Sequence, residues 1–291
     1  MAFRLAEKEV LEDGIRRIAI EQLDKIFLTI DNEKDRNEAV HDVRKRFKKL
    51  RAVVRLIRAE LGEDSYKTLN TEFRDLAREI APVRDSYVLL ETLDLLKGEE
   101  ELVESVKERL KEKHSHKKDE ILKKEKKLFV IKDQINRFEP SVSEWEVSTN
   151  NFSSIKPGIK KVYKRGKRAL KILESGKATS ADYHDFRKRV KYLWYQIRIL
   201  RNSWNRALKP VSKELHKLSD ILGDDHDLFV LSENLKELDS LTNEEYSRLN
   251  KLIISKRKKF QKKSIKLGGL LFTEKPGSFV NRMKRYYEIS N

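Results

Sequence analysis

Cysteine is absent from the 291 residues, which excludes disulfides, thiol nucleophiles and thiolate-held zinc or iron–sulfur sites. Proline (5) and glycine (10) are scarce, so chain breaks are few and long helices joined by short turns are expected. No run approaches the roughly 18 consecutive apolar residues of a membrane span, and Glu7 and Glu9 stand where a signal peptide needs an apolar stretch. A cytosolic, soluble protein without membrane insertion is the expectation. Acids fall short as well: Asp+Glu 48 against Lys+Arg 65 leaves a net charge of +17. That excess suggests a polyanionic partner, whether nucleic acid, an acidic membrane surface or polyphosphate. Hydrophobic residues, at 38%, are sufficient for a folded core.

What the chain has instead is one stretch used twice. His41-Asp42-Val43-Arg44-Lys45-Arg46-Phe47-Lys48 runs on to Arg51, Arg55 and Arg58, and His184-Asp185-Phe186-Arg187-Lys188-Arg189-Val190-Lys191 runs on to Arg198 and Arg201. The offset is 143 throughout, and nine of 18 aligned positions are identical. At about 100° per residue, His41, Arg44, Lys45, Lys48, Arg51, Arg55 and Arg58 share one helical sector, while Val43, Phe47, Leu50, Val54, Ile57 and Leu61 share another. The second copy repeats the stripe with His184, Arg187, Lys188, Lys191, Arg198 and Arg201 over Phe186, Val190, Leu193, Ile197 and Leu200. A basic stripe is ordinarily just a solvated face. Solvated faces mix signs, however, and cations at helical spacing repel one another by a few tenths of a kcal/mol per pair. A stripe that does not neutralise itself implies an external anion.

In chain order, helical spacing is read over 3–30, then over the first signature helix from about Arg36 to Leu61, ended by Gly62. Asp64 is placed as the cap of a third helix, and Pro82 suits the first turn of a fourth that contains Arg84-Asp85. Residues 99–138 read as one long charged helix with a thin apolar seam. His114 and His116, two apart, point to different sides, which argues against a metal pair. The run rich in Ser, Asn and Thr from Pro140 to Gly158 marks a linker, 141–158, between a bundle over 1–140 and another over 159–291. In the second half, a helix from about Ile159 to Leu173 precedes the second signature helix, capped at Thr179 or Ser180; Pro210 opens a third helix and Asp224 a fourth. Leu76–Leu93 and Leu218–Leu235 also align, at an offset of 142, with Asp85 on Asp227 and Arg84 on His226. Thr242 and Glu245 form a capping box for a last long helix rich in Lys.

His-x-x-Arg-Lys-x-x-Lys in two copies, with the repeated Arg84-Asp85 and His226-Asp227 segments, resembles the CHAD domain, the conserved histidine α-helical domain. The resemblance covers residues 1 to about 288. It implies an all-α fold of two pseudo-twofold-related four-helix bundles from an internal duplication, with extra long helices, and a basic channel that binds inorganic polyphosphate without catalysis, cofactor or metal. The implied ligands are His41, Arg44, Lys45, Lys48, Arg51, Arg55, His184, Arg187, Lys188, Lys191 and Arg198. Lys160, Lys164, Arg165 and Arg168 on the basic helix before the second signature are expected to join them. The two copies differ where Lys49 faces Tyr192 and Arg51 faces Trp194, so the second half carries fewer charges at that level. Association with polyphosphate granules would follow from such binding.

The chemistry of the ligand agrees. A linear polyphosphate offers repeated anionic oxygens and no bases, which suits Arg forks and Lys point charges and needs no stacking platform. The alternative is a nucleic-acid-binding helical protein, for which Tyr192, Trp194 and Tyr195 would have to stack on bases. Three His-Asp pairs (41-42, 184-185, 226-227) invite a metal-dependent phosphohydrolase reading, but the surrounding Arg and Lys oppose a bound cation. Neither Glu7-Lys8-Glu9-Val10-Leu11 nor Glu144-Trp145-Glu146-Val147-Ser148 completes the E-x-E-x-K strand of a triphosphate tunnel, and no glycine-rich phosphate loop occurs.

Overall fold

In the computed structural model, residues 3–148, 151–238 and 241–290 are described. The helices are α1 (Leu11–Asn32), α2 (Arg36–Leu56), α3 (Glu63–Glu79), α4 (Ala81–Leu93), α5 (Glu100–Lys118), α6 (Lys127–Ile135), α7 (Phe138–Ser143), α8 (Phe152–Glu174), α9 (Ser180–Ile199), α10 (Asn205–Lys236), α11 (Asn243–Leu271) and α12 (Pro276–Ser290). No strand occurs among the described residues, so the fold is all-α.

Both signature segments are helical for the reasons their spacing gives. Val43, Phe47, Leu50 and Val54 of α2 and Phe186, Val190, Leu193 and Ile197 of α9 are buried, which leaves the basic stripes to face elsewhere. Asp35 caps α2 by accepting from the Asn37 N–H at 2.8 Å. Capping boxes open α9 (Thr179, Asp182) and α11 (Thr242, Glu245), the second as its spacing predicts. The cap of α3 is Gly62, whose φ of +74° favours glycine, and not Asp64, which lies in the first turn where a carboxylate complements the helix dipole.

Three expected boundaries change, each because of where the apolar residues are needed. The single helix expected over 99–138 is broken: a π-helical turn at Asp119–Lys124 and a left-handed Lys126 (φ 50°) separate α5 from α6. Val103, Val106 and Leu110 pack in one apolar cluster while Ile121, Leu128, Ile131 and Ile135 pack in another, so the break re-aims the seam from one core to the other. Conversely, the two helices expected either side of Gly223 are one rod, α10. Its Leu208, Leu215, Leu218 and Leu222 enter the first cluster and its Leu228, Leu231 and Leu235 the second, and one continuous helix serves both. The expected linker 141–158 is helical from Phe152 onward, since Phe152, Ile155 and Ile159 are fully buried; Thr149 and Asn150 of that linker, like Met1 and Ala2 of the expected first bundle, lie outside the described residues.

Neither cluster follows the division into 1–140 and 159–291. The larger draws on α1, α2, α3, the start of α4, α6, α7, α8, α9, α12 and the first part of α10, and the smaller on the rest of α4, α5, α11 and the rest of α10. Besides α2 against α8, the two halves of the chain meet through α2 against α9 and α4 against α10. Those two contacts enclose the site.

Candidate anion-binding site

Where α2 meets α9 their basic stripes face a common hollow, closed on its flank by α4 and α10. One lobe, of about 580 Å³, is lined by His41, Arg44, Lys45 and Lys48 of α2, His184, Arg187 and Lys191 of α9, Arg84 and Asp85 of α4, and His216, Asp220, His226 and Asp227 of α10. A second lobe, of about 510 Å³, shares Arg44, Lys48, Asp85, His184, Arg187, Lys191 and Tyr195 with the first. It continues past Arg51, Arg55 and Lys188 to Arg74 and Arg78 of α3. The shared walls make the two lobes one elongated space.

Its electrostatics are those of cations held together without enough counter-charge. Burial, then Lys191 and the Arg44 and Arg187 guanidinium groups, hold the Lys48 ammonium well below its ordinary range. Burial and then Arg187 push Lys191 down to about 8, against the pull of Asp220 and Asp227. The Arg187 Nε is buried without a hydrogen-bond partner. Arg44 is better held, donating to the Ala77 carbonyl at 3.1 Å and to Asp85 Oδ1 at 3.3 Å. Asp85 thus orients a signature-helix cation, as an acid beside a basic stripe is expected to do. Asp227 is raised by burial even though Arg187, Lys191, Arg84 and Lys48 oppose the shift, and burial with Asp227 and Asp220 as neighbours lifts Asp224 to about 6.

The histidines lie at the α10 side. Burial, followed by Arg84 and Lys45, pushes His41 down to about 4, and burial with Arg187 and His184 pushes His226 down to about 3. The rings of His184 and His226 are 4.4 Å apart, and His184 Nδ1 is buried without a partner. Neutral imidazoles in this position offer N–H donors to an anion, and a negative charge placed against them would raise their pKa.

A family model for the CHAD domain matches residues 17–236, a span that includes both signature helices and all of α10. The chain belongs to the CHAD-domain family. No curated protein matches it.

Within this CHAD domain His41, Arg44, Lys45, Lys48, Arg51, Arg55, His184, Arg187, Lys188 and Lys191 all line the hollow. Arg198 does not. It continues the α9 stripe, but Phe3 covers that end: the segment bearing Phe3 is tied down by the Leu5 N–H donating to the Ile199 carbonyl at 2.9 Å, and the Arg198 guanidinium sits 5.6 Å from the Phe3 ring and 5.1 Å from that of Trp194. Lys160, Lys164 and Arg168 are exposed on α8 and line neither lobe. Arg165 is exposed too and reaches only a smaller pocket beside Arg55.

The structure adds residues that the signature does not contain. Arg84 enters from α4 and Arg74 and Arg78 from α3. In the sequence Arg84 stands out only as the residue that aligns with His226. Asp42 bonds Lys45, and Asp185 bonds Lys188 at 3.2 Å and Arg189 at 2.8 Å, so these acids serve cations of their own helices rather than the adjacent histidines. Among the described residues no three His, Asp or Glu side chains are grouped to hold a metal. The aromatic residues are already engaged: Trp194 stacks on Tyr195 at 4.7 Å and meets the edge of His216 at 4.2 Å.

Proposed function

We propose that this CHAD domain binds inorganic polyphosphate in the hollow between α2 and α9, as a binding module and not an enzyme. The observation that carries the reading is the convergence of Lys48, Arg187 and Lys191 in one hollow, with none of them in an ion pair among the described residues. Half-buried cations without partners are costly, and a polyanion supplies the missing charge along the whole length of the space. An elongated hollow fits a linear ligand, and the dominance of Arg and Lys fits one whose surface is repeated phosphoryl oxygen. Nucleic acid is less well served, because Trp194 and Tyr195 cover each other instead of offering free faces to bases. Recruitment to polyphosphate granules would be the cellular consequence.

The test is binding of long-chain polyphosphate across a salt series. Counterion release should make log K fall linearly with log salt, with a slope on the order of −0.7 per phosphate neutralised, as for single strands. The double substitution Arg187→Ala/Lys191→Ala should weaken binding and flatten the slope. Lys123→Ala/Lys124→Ala removes the same charge from exposed positions far along the chain and should do much less. Equal losses from the two pairs would reduce the protein to a diffuse cation, and displacement of bound polyphosphate by nucleic acid would favour the other polyanion.

A further inference from the structure

Beyond Arg55 the basic lining does not stop. We propose that a third hollow, between the C-terminal end of α2 and helices α3, α8 and α9, is a further phosphoryl subsite, occupied only by chains long enough to leave the central space; this rests on the polyphosphate reading above. Its cations are Arg55, Arg58, Lys161, Arg165 and Arg189, with Tyr66 and Tyr192 between them, and no acidic side chain lines it. The first central lobe has Asp85, Asp220 and Asp227 in its wall, and the second has Asp85 alone. Acidic side chains in the wall therefore thin out from the histidine end toward α8, where Arg55, Lys161 and Arg165 line the space outside any ion pair among the described residues.

The two spaces touch through one pair of side chains. Arg55 and Tyr192 line both the second lobe and the third hollow, with the Arg55 guanidinium 3.9 Å from the centre of the Tyr192 ring. Arg55 is fixed there by donating to the Arg51 carbonyl at 2.7 Å and to Asn70 Oδ1 at 2.6 Å. It is buried and in no ion pair among the described residues. On the far wall, Lys161 and Arg165 stand one turn apart on α8, and the Lys161 ammonium is pulled below its ordinary range by burial and then by Arg58. The nearest acids are committed: Glu63 to Arg58 at 2.5 Å and Asp185 to Arg189 at 2.8 Å. Free volume is about 30 Å³, room for a couple of waters. A phosphoryl group enters once the exposed Lys161 and Arg165 side chains swing outward; a nucleoside does not.

Isothermal titration of the full chain with triphosphate and with long-chain polyphosphate tests this. Lys161→Gln/Arg165→Gln should weaken the long chain roughly tenfold, the loss of one or two charge-assisted contacts, and leave triphosphate within about twofold. Lys171→Gln/Lys177→Gln, which removes the same charge from exposed positions outside all three hollows, should leave both ligands within about twofold. A pocket variant that loses no more than this control, or that loses triphosphate as strongly as the long chain, overturns the subsite and leaves the central site standing. A wild-type protein that binds neither ligand overturns the polyphosphate reading itself.

Discussion

At the scale of single residues the site is a balance between burial and charge, and Lys191 shows it most clearly. Burial and Arg187 hold its ammonium near 8, yet at neutral pH it is still mostly charged, so the ligand-free protein carries the cost. Lys191→Met keeps the apolar stem and removes the charge. It should raise stability to urea at pH 7 by about 1–3 kcal/mol, the shift discounted for partial exposure, while weakening polyphosphate binding. A loss of stability would mean that Asp220 and Asp227 satisfy this lysine and that the hollow is not short of negative charge. The signature made most of these residues legible, because a helical stripe without acids says both where it points and what it needs. Arg74, Arg78 and Arg84 were not readable in the same way. They sit on helices whose other charges are ordinary, and only the folding of α3 and α4 against α2 brings them to the same space.

At the scale of elements, the approach of α8 to α2 is set by a missing side chain. A Cβ on Gly158 would lie 2.2 Å from the Leu56 carbonyl oxygen and 2.5 Å from that of Arg55, and backbone cannot yield as a side-chain tip can. Gly158→Ala should therefore push α8 off the end of α2 at a cost of about 1–3 kcal/mol in denaturant midpoint measurements, and should widen the gap between Arg55 and Lys161. An unchanged midpoint would show that α8 is not seated on this contact. The role of Gly158 was hidden because the glycine reads from sequence as the end of a linker; the buried Phe152 and Ile155 before it, with Ile159 after it, carry the helix back through Pro157. Outside the expected linker, helix type was legible from 3.6-residue spacing and capping boxes. Helix continuity was not, because it depends on which of two cores each turn must reach. Residues 119–126 break a pattern that looks unbroken, and Leu222 to Leu228 continue one that Gly223 and three acids seem to end.

At the scale of the whole molecule, Arg44, Lys45, Lys48, Arg84, Arg187 and Lys191 meet Asp85, Asp220 and Asp227 where α2, α9, α4 and α10 come together, so the ionisation of that centre should respond as a unit when a polyanion enters. Lys48 is depressed by burial and then by Lys191, and Lys191 by burial and then by Arg187, with Asp220 and Asp227 pulling Lys191 the other way; His41 and His226 are depressed by burial and by Arg84 or Arg187; Asp224 is raised by burial and its acidic neighbours. A bound phosphoryl chain favours the protonated form of every one of these groups, so each pKa is higher in the complex than in the free protein. Binding then takes up protons, and the gain in affinity is fully present below the free pKa and lost as pH rises through the bound one. For Lys191 the loss begins near its free value of about 8, and for Asp224 near about 6. Polyphosphate affinity should consequently decline from pH 6 to pH 9 with no optimum between. Titrations in buffers of different ionisation enthalpy should register proton uptake at pH 8, and Lys191→Met should reduce it while preserving the uptake near pH 6 that Asp224 contributes. Proton release on binding, or an affinity that climbs with pH, would mean that the chain docks on fully exposed lysines and leaves the buried centre untouched.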